Sequence, residues 1–184
     1  IRRRMPKTDA DRADRHPMAT APPAWVPSGS LALDAITGGG FPVGRLTEIY
    51  GDPSTGKSLL LGHFFAQVQA LGGVCYLGES EGSFDAAFAD RLGVDRSRLI
   101  VSSVRKEDGK PATVEAMERE VLSVIEAAPP AGAGALVGIG VDSLAALSTE
   151  HELAQPDKPD MTKAKLLGKL CRVTVGSARR KNVV

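Results

Sequence analysis

At 184 residues the chain has the size of one ordinary domain, long enough to bury a real core. Its 23 basic and 22 acidic residues leave a formal charge of +1, which excludes a global field driving it onto nucleic acid or a membrane. Any DNA contact therefore has to be local, and no apolar run approaches the length of a membrane span.

Residues 1–24 are charged, then Pro- and Ala-rich, and are expected to form a disordered arm or an expression remnant, with Met18 as a candidate natural start. The basic opening IRRRMPK runs into polar TDADRADRH rather than into a signal-peptide core. Cys75 and Cys171 stand alone in apolar surroundings without metal-like spacing, and read as reduced core residues of a soluble, cytoplasmic protein. The folded part is expected over 25–184. RLTEIY (45–50) sets Leu46, Ile49 and Tyr50 among polar residues as a short strand does.

Next comes GDPSTGKSLLL (51–61), in which Gly51, Gly56, Lys57 and Ser58 fit GxxxxGK[ST]. Glycines at both ends let the backbone curl its N–H groups toward an anion, and the positive end of the following helix adds attraction. Lys57 would reach the β- and γ-phosphates and Ser58 would take one place on Mg²⁺. Downstream, Leu61, Phe64, Phe65, Val68 and Leu71 recur at helical spacing, so strand, glycine loop and helix follow in the order such a loop requires.

GVCYLG (73–78) reads as a buried strand, SFDAAFADRLG (83–93) as a helix with a glycine stop, and RLIVSS (98–103) as a strand. A helix over 112–127 puts Val114, Met117, Val121, Leu122 and Ile125 on one face and ends at Pro129 and Pro130. The apolar run 135–142 closes on Asp142, a polar loop follows, and a last helix spans 160–178. Strands alternating with helices predict an α/β fold, a mostly parallel sheet flanked by helices on both faces. Gly138 and Gly140 in a strand predict close packing of a neighbour. Arg179, Arg180 and Lys181 either approach phosphate or face a helix dipole, the second being the commoner case.

In a parallel sheet ligands gather at the carboxyl ends of the strands. Asp142 is there, in the place of the acid that holds Mg²⁺, through Ser58 or a water, in a P-loop enzyme, a reading preferred to that of a helix cap or turn residue. Glu79 and Glu81 follow the second strand; two apart in a loop, they are not expected both to face the site, and one is a solvated surface charge. A carboxylate that orients water in line with the γ-phosphate is one solution to hydrolysis, and geometry alone does not choose between them.

VPSGSLALDAITGGGFPVGRLTEIYGDPSTGKSLLL resembles the opening of the ATPase core of the RecA-type recombinases, a P-loop NTPase fold, with the same elements in the same order. CYLGESEGSFDAAFADRLGVD is similar to the family segment that carries the catalytic glutamate, and its register gives that role to Glu81 rather than Glu79. The resemblance implies a nucleotide site of Gly51, Asp52, Pro53, Ser54, Thr55, Gly56, Lys57, Ser58 and Leu59, with Asp85 and Phe88 against the adenine. VDSLAAL (141–147) resembles the family's second nucleotide motif, with Asp142 on the metal side. PDMTKAKLLGKLCRVTV is most similar to the phage branch, which pairs strands in viral DNA replication and repair.

The implied cofactors are ATP and Mg²⁺, and the implied partners are single-stranded DNA and further copies of the chain in a helical filament. The first DNA loop of the family would correspond to residues 151–160. Family members continue into a γ-phosphate sensor, a second DNA loop and more sheet, whereas the sequence here stops at Val184, so the core is expected to be truncated before its last strands. Two further readings are a RecA-fold helicase or repair accessory ATPase, and a nucleotide-binding fragment without turnover.

Overall fold

Three parallel strands position everything that follows. The computed structural model describes residues 24–103, 111–156 and 162–184. In chain order the elements are β1 (Trp25–Val26), α1 (Leu31–Thr37), β2 (Phe41–Pro42), α2 (Lys57–Ala70), β3 (Val74–Glu79), α3 (Ala86–Arg91), β4 (Leu99–Ser103), α4 (Val114–Ala127), β5 (Val137–Asp142), α5 (Glu150–Ala154) and α6 (Lys163–Ala178). The short β1 and β2 pair antiparallel, and the main sheet has the order β4-β3-β5 with both pairings parallel. β3 is buried over all but its first residue, as expected of a parallel strand covered on both faces.

Each face of the sheet has its own core. On one side Phe64, Phe65 and Val68 of α2 pack with Cys75, Leu77, Leu99 and Ala89. On the other, Met117, Val121 and Ile125 of α4 and Leu170 of α6 pack with Tyr76 and Val137. The predicted glycine approach is realised: a Cβ on Gly140 would stand 2.7 Å from Leu61 Cδ1 and 2.8 Å from Phe65 Cζ, and one on Gly138 would stand 2.9 Å from Val68 Cγ2. α2, which follows the glycine loop, is thus seated directly on the β5 backbone.

Local sequence sets the ends of α4. Thr113 caps its start by accepting the Ala116 N–H, and the chain turns extended at Ala128, before the two prolines. Lys181 donates to the carbonyls of Glu126 (2.7 Å) and Ala128 (2.8 Å), so this cation of the 179–181 cluster serves the negative end of α4.

Two expectations are corrected. Residues 45–50 form no strand. The outer edge of β5 is taken by the chain's last residues, where Val137 accepts from Val184 and Ile139 donates to it, and Val183 accepts from Gly44. Among the described residues no backbone ladder bond reaches residues 46–50, and Leu46, Ile49 and Tyr50 stay exposed. The polar connection after β5 is also more ordered than a loop. A 3-10 turn (Leu144–Ala146) and then α5 occupy it, and Thr149, fully buried, caps α5 through the Glu152 N–H. The candidate DNA loop 151–160 therefore begins inside a helix, and its residues 157–160 lie outside the described residues.

Candidate nucleotide site

The glycine loop keeps its helix end open. Gly56 takes φ of +91° to start α2 and supplies no side-chain cap, so the first N–H groups of that helix face the loop without a protein partner from the cap. Ser54 adopts a φ of +62°, a left-handed conformation uncommon outside glycine, which completes the curl. Lys57 folds back over the turn and donates to Gly51 O (3.0 Å) and Asp52 O (2.8 Å), while Thr55 Oγ1 donates to Asp52 O at 2.8 Å. The Lys57 ammonium thus hovers over the concavity on two neutral acceptors in water, from which an anion can draw it. Asp52, Pro53, Ser54, Thr55 and Leu59 are exposed around it.

The sheet brings its own groups to the same end. Glu79 and Asp142 are register partners at the carboxyl ends of β3 and β5. Ser58 Oγ donates to Asp142 Oδ2 at 2.6 Å. These are hard oxygen donors of the kind Mg²⁺ takes, one carboxylate and one hydroxyl. Among the described residues no group of three or more His, Cys, Asp or Glu side chains gathers as a metal cage.

The ends of β3 and β5 are laced together. Ser80 N–H donates to Asp142 O (2.9 Å), Ser80 Oγ donates to Ser143 O (2.7 Å), and Ser143 N–H donates to Ser80 Oγ (2.9 Å). The Asp142–Ser143 peptide at this junction is cis. Ser143 Oγ donates to Glu81 Oε1 at 2.6 Å, which holds Glu81 beside the carboxyl end of β5. Glu79 is not the solvated charge that two carboxylates in one loop suggested. It is the last residue of β3, 5% exposed, and its Oε1 accepts the N–H groups of Glu81 and Ser83. The strand runs one residue further than the apolar run, so alternation, not loop geometry, decides where Glu79 points.

Asp85 and Phe88 lie further along the same rim. Asp85 caps α3 by accepting the Phe88 N–H at 2.9 Å, and the Arg91 guanidinium sits over the Phe88 ring, 5.6 Å from its centroid. Both residues line a cleft of about 90 Å³ together with Ser58, Phe65, Glu79 and Asp142. Ser80 is the site residue that motif reasoning passed over; its only signal was its place between two acidic residues at a strand end.

A three-stranded parallel sheet with a glycine loop leading into the helix on its face defines an α/β domain of the P-loop class. A family model, RecA N-terminal domain, matches residues 19–184, and the chain belongs to the RecA family. It is 38% identical over 162 residues to Protein RecA of Chlorobaculum parvum, covering 86% of this chain and 43% of that protein. To Protein RecA of Cutibacterium acnes it is 40% identical over 131 residues, covering 71% of this chain and 34% of that protein. The chain spans less than half the length of the curated relatives it matches. No helix among the described residues is long and apolar enough to cross a membrane.

Proposed function

We propose that the chain is the ATPase core of a DNA recombinase, which binds ATP at residues 51–59 and assembles with further copies into a filament on single-stranded DNA in the cytoplasm. The observation that carries this is the contact between Ser58 of the glycine loop and Asp142 at the end of β5, with Glu81 held by Ser143 one residue further along. In this reading Lys57 leaves Gly51 O and Asp52 O for the β- and γ-phosphate oxygens, and the N–H groups at the start of α2 hold the phosphate chain. Ser58 and Asp142 hold Mg²⁺, which when bound neutralises charge building on the phosphate oxygens. Glu81 orients the attacking water, and the Ser143 hydroxyl fixes its carboxylate. Asp85 and Phe88 take the adenine.

Within the family, the likeness of residues 159–175 to the phage branch supports a role in pairing strands of viral DNA in recombination and repair. Hydrolysis would release the filament. The test is ATP turnover by the purified chain with and without single-stranded DNA, beside a Glu81→Gln variant and a nucleotide titration. DNA-stimulated turnover lost in the variant is the expected result. ATP binding without turnover would favour a second reading, a binding module, which the irregular, non-strand backbone of residues 46–50 leading into the loop supports.

A further inference from the structure

We infer that Glu79 is a positioning residue that fixes Glu81 against Ser143. This rests on the reading of Glu81 as the group that orients water.

A carboxylate left 5% exposed is costly unless hydrogen bonds or a cation compensate it. Among the described residues no ion pair reaches Glu79, and its compensation is the turn itself. Oε1 accepts the Glu81 N–H at 3.0 Å and the Ser83 N–H at 2.8 Å, with the Ser83 hydroxyl at 3.5 Å. Bonds from backbone N–H to a carboxylate are charge-assisted and among the stronger ones a turn can make. The chain after β3 therefore wraps around the Glu79 carboxyl group, and the wrap decides where Glu81 leaves the backbone.

Two ties then define the position of Glu81. Its backbone is held from β3 by Glu79, and its side chain is held from β5 by Ser143 at 2.6 Å. Ser80, between them, is bonded to Asp142 O and to both polar groups of the Ser143 backbone, so the strand ends stay joined whether or not Glu79 is present. Loss of Glu79 would free residues 81–83 alone. The role depends on acceptor and reach: Gln keeps an oxygen at the same distance, whereas Asp keeps the charge but falls one methylene short.

The experiment compares the full chain with Glu79→Gln, Glu79→Asp and Glu79→Ala in two measurements. Amide hydrogen exchange by NMR should be about tenfold or more faster at Glu81 and Ser83 in the Asp and Ala variants, the size of a lost hydrogen bond of roughly 1–3 kcal/mol, with Tyr76 and Leu77 unchanged. Steady-state ATP turnover on single-stranded DNA should fall about tenfold or more in kcat in the same variants with KM within about threefold, and recover largely in Glu79→Gln. Unchanged exchange at Glu81 and Ser83 would overturn the inference, as would faster exchange with full turnover. So would a Gln variant as poor as Ala beside an active Asp variant, since charge rather than reach would then matter. If the parent chain itself turns nothing over, the reading of Glu81 fails, while exchange in the Asp and Gln pair still decides whether Glu79 holds the turn.

Discussion

Ser58 and Asp142 meet at 2.6 Å across 84 residues of chain, one from the first turn of α2 and the other from the last residue of β5. The contact depends on α2 lying close against β5, which the strand's glycines allow. Asp142→Asn and Ser58→Ala should each weaken binding of Mg²⁺-ATP about tenfold or more, with a smaller effect on metal-free nucleotide. Calorimetric titration with and without Mg²⁺ checks it, and equal losses in both conditions would remove the metal role.

Among the described residues the Lys57 ammonium is bound to Gly51 O and Asp52 O, at an exposed site. Removing bonds in that setting should change stability by less than about 1 kcal/mol. Lys57→Ala should therefore melt close to the parent yet bind ATP about tenfold or more weaker, and Lys57→Arg should not restore it, because a planar fork does not replace a compact ammonium. Thermal unfolding and nucleotide titration on the same samples separate the two effects.

Gly140 is where sequence reading and packing agree most closely. A methyl group there would press on Leu61 and Phe65. Gly140→Ala should cost about 1–3 kcal/mol, as overpacking does, and Leu61→Ala on top of it should recover part of that loss. Additive losses measured by denaturant unfolding would mean that α2 does not sit against Gly140 as described.

The stretches that were legible share one property: their neighbours in space are their neighbours in pattern. The glycine loop, the apolar face of α4 and the apolar run into Asp142 each carry their signal within a few residues. Residues 45–50 have an equally good strand pattern, but a strand forms only beside a partner, and the outer edge of β5 is bonded at Val137 and Ile139 by Asn182 and Val184 rather than by this segment. Glu79 was illegible for a related reason. Whether it is buried depends on β3 extending to its register partner Asp142, a fact about pairing rather than about the residues GESEG.

Alkali should expose what the core holds neutral. Burial pushes the Cys75 thiol from 9.0 up to about 12, and burial followed by the hydrogen bond to the Glu120 carboxylate raises Tyr76 as well. Both groups are protonated in the fold and would ionise more readily once unfolded. Their contribution is thus fully present below about pH 9, and for Cys75 it is lost as pH rises from 9.0 toward 12. The melting temperature of the parent should fall faster over that window than that of Cys75→Ala, and parallel curves would show that Cys75 is not the group involved.

Among the described residues, the 151–160 region and the start of α6 offer few cations for contact with DNA. Glu150 and Glu152 lie in the first turn of α5, and Glu150 is further tied to Arg119 at 3.4 Å. Lys163, at the start of α6, donates its ammonium to Ala145 O at 2.8 Å, which leaves Lys165 as the exposed cation of that helix turn. Each phosphate neutralised on a single strand contributes about 0.7 to the slope of log affinity against log salt, so the slope should be only about 1–2. Fluorescence anisotropy with labelled oligothymidine across a salt series measures it, and Lys165→Ala should lower the slope by roughly 0.7. A steep slope unaffected by Lys165→Ala would move the DNA-binding surface away from α5 and α6.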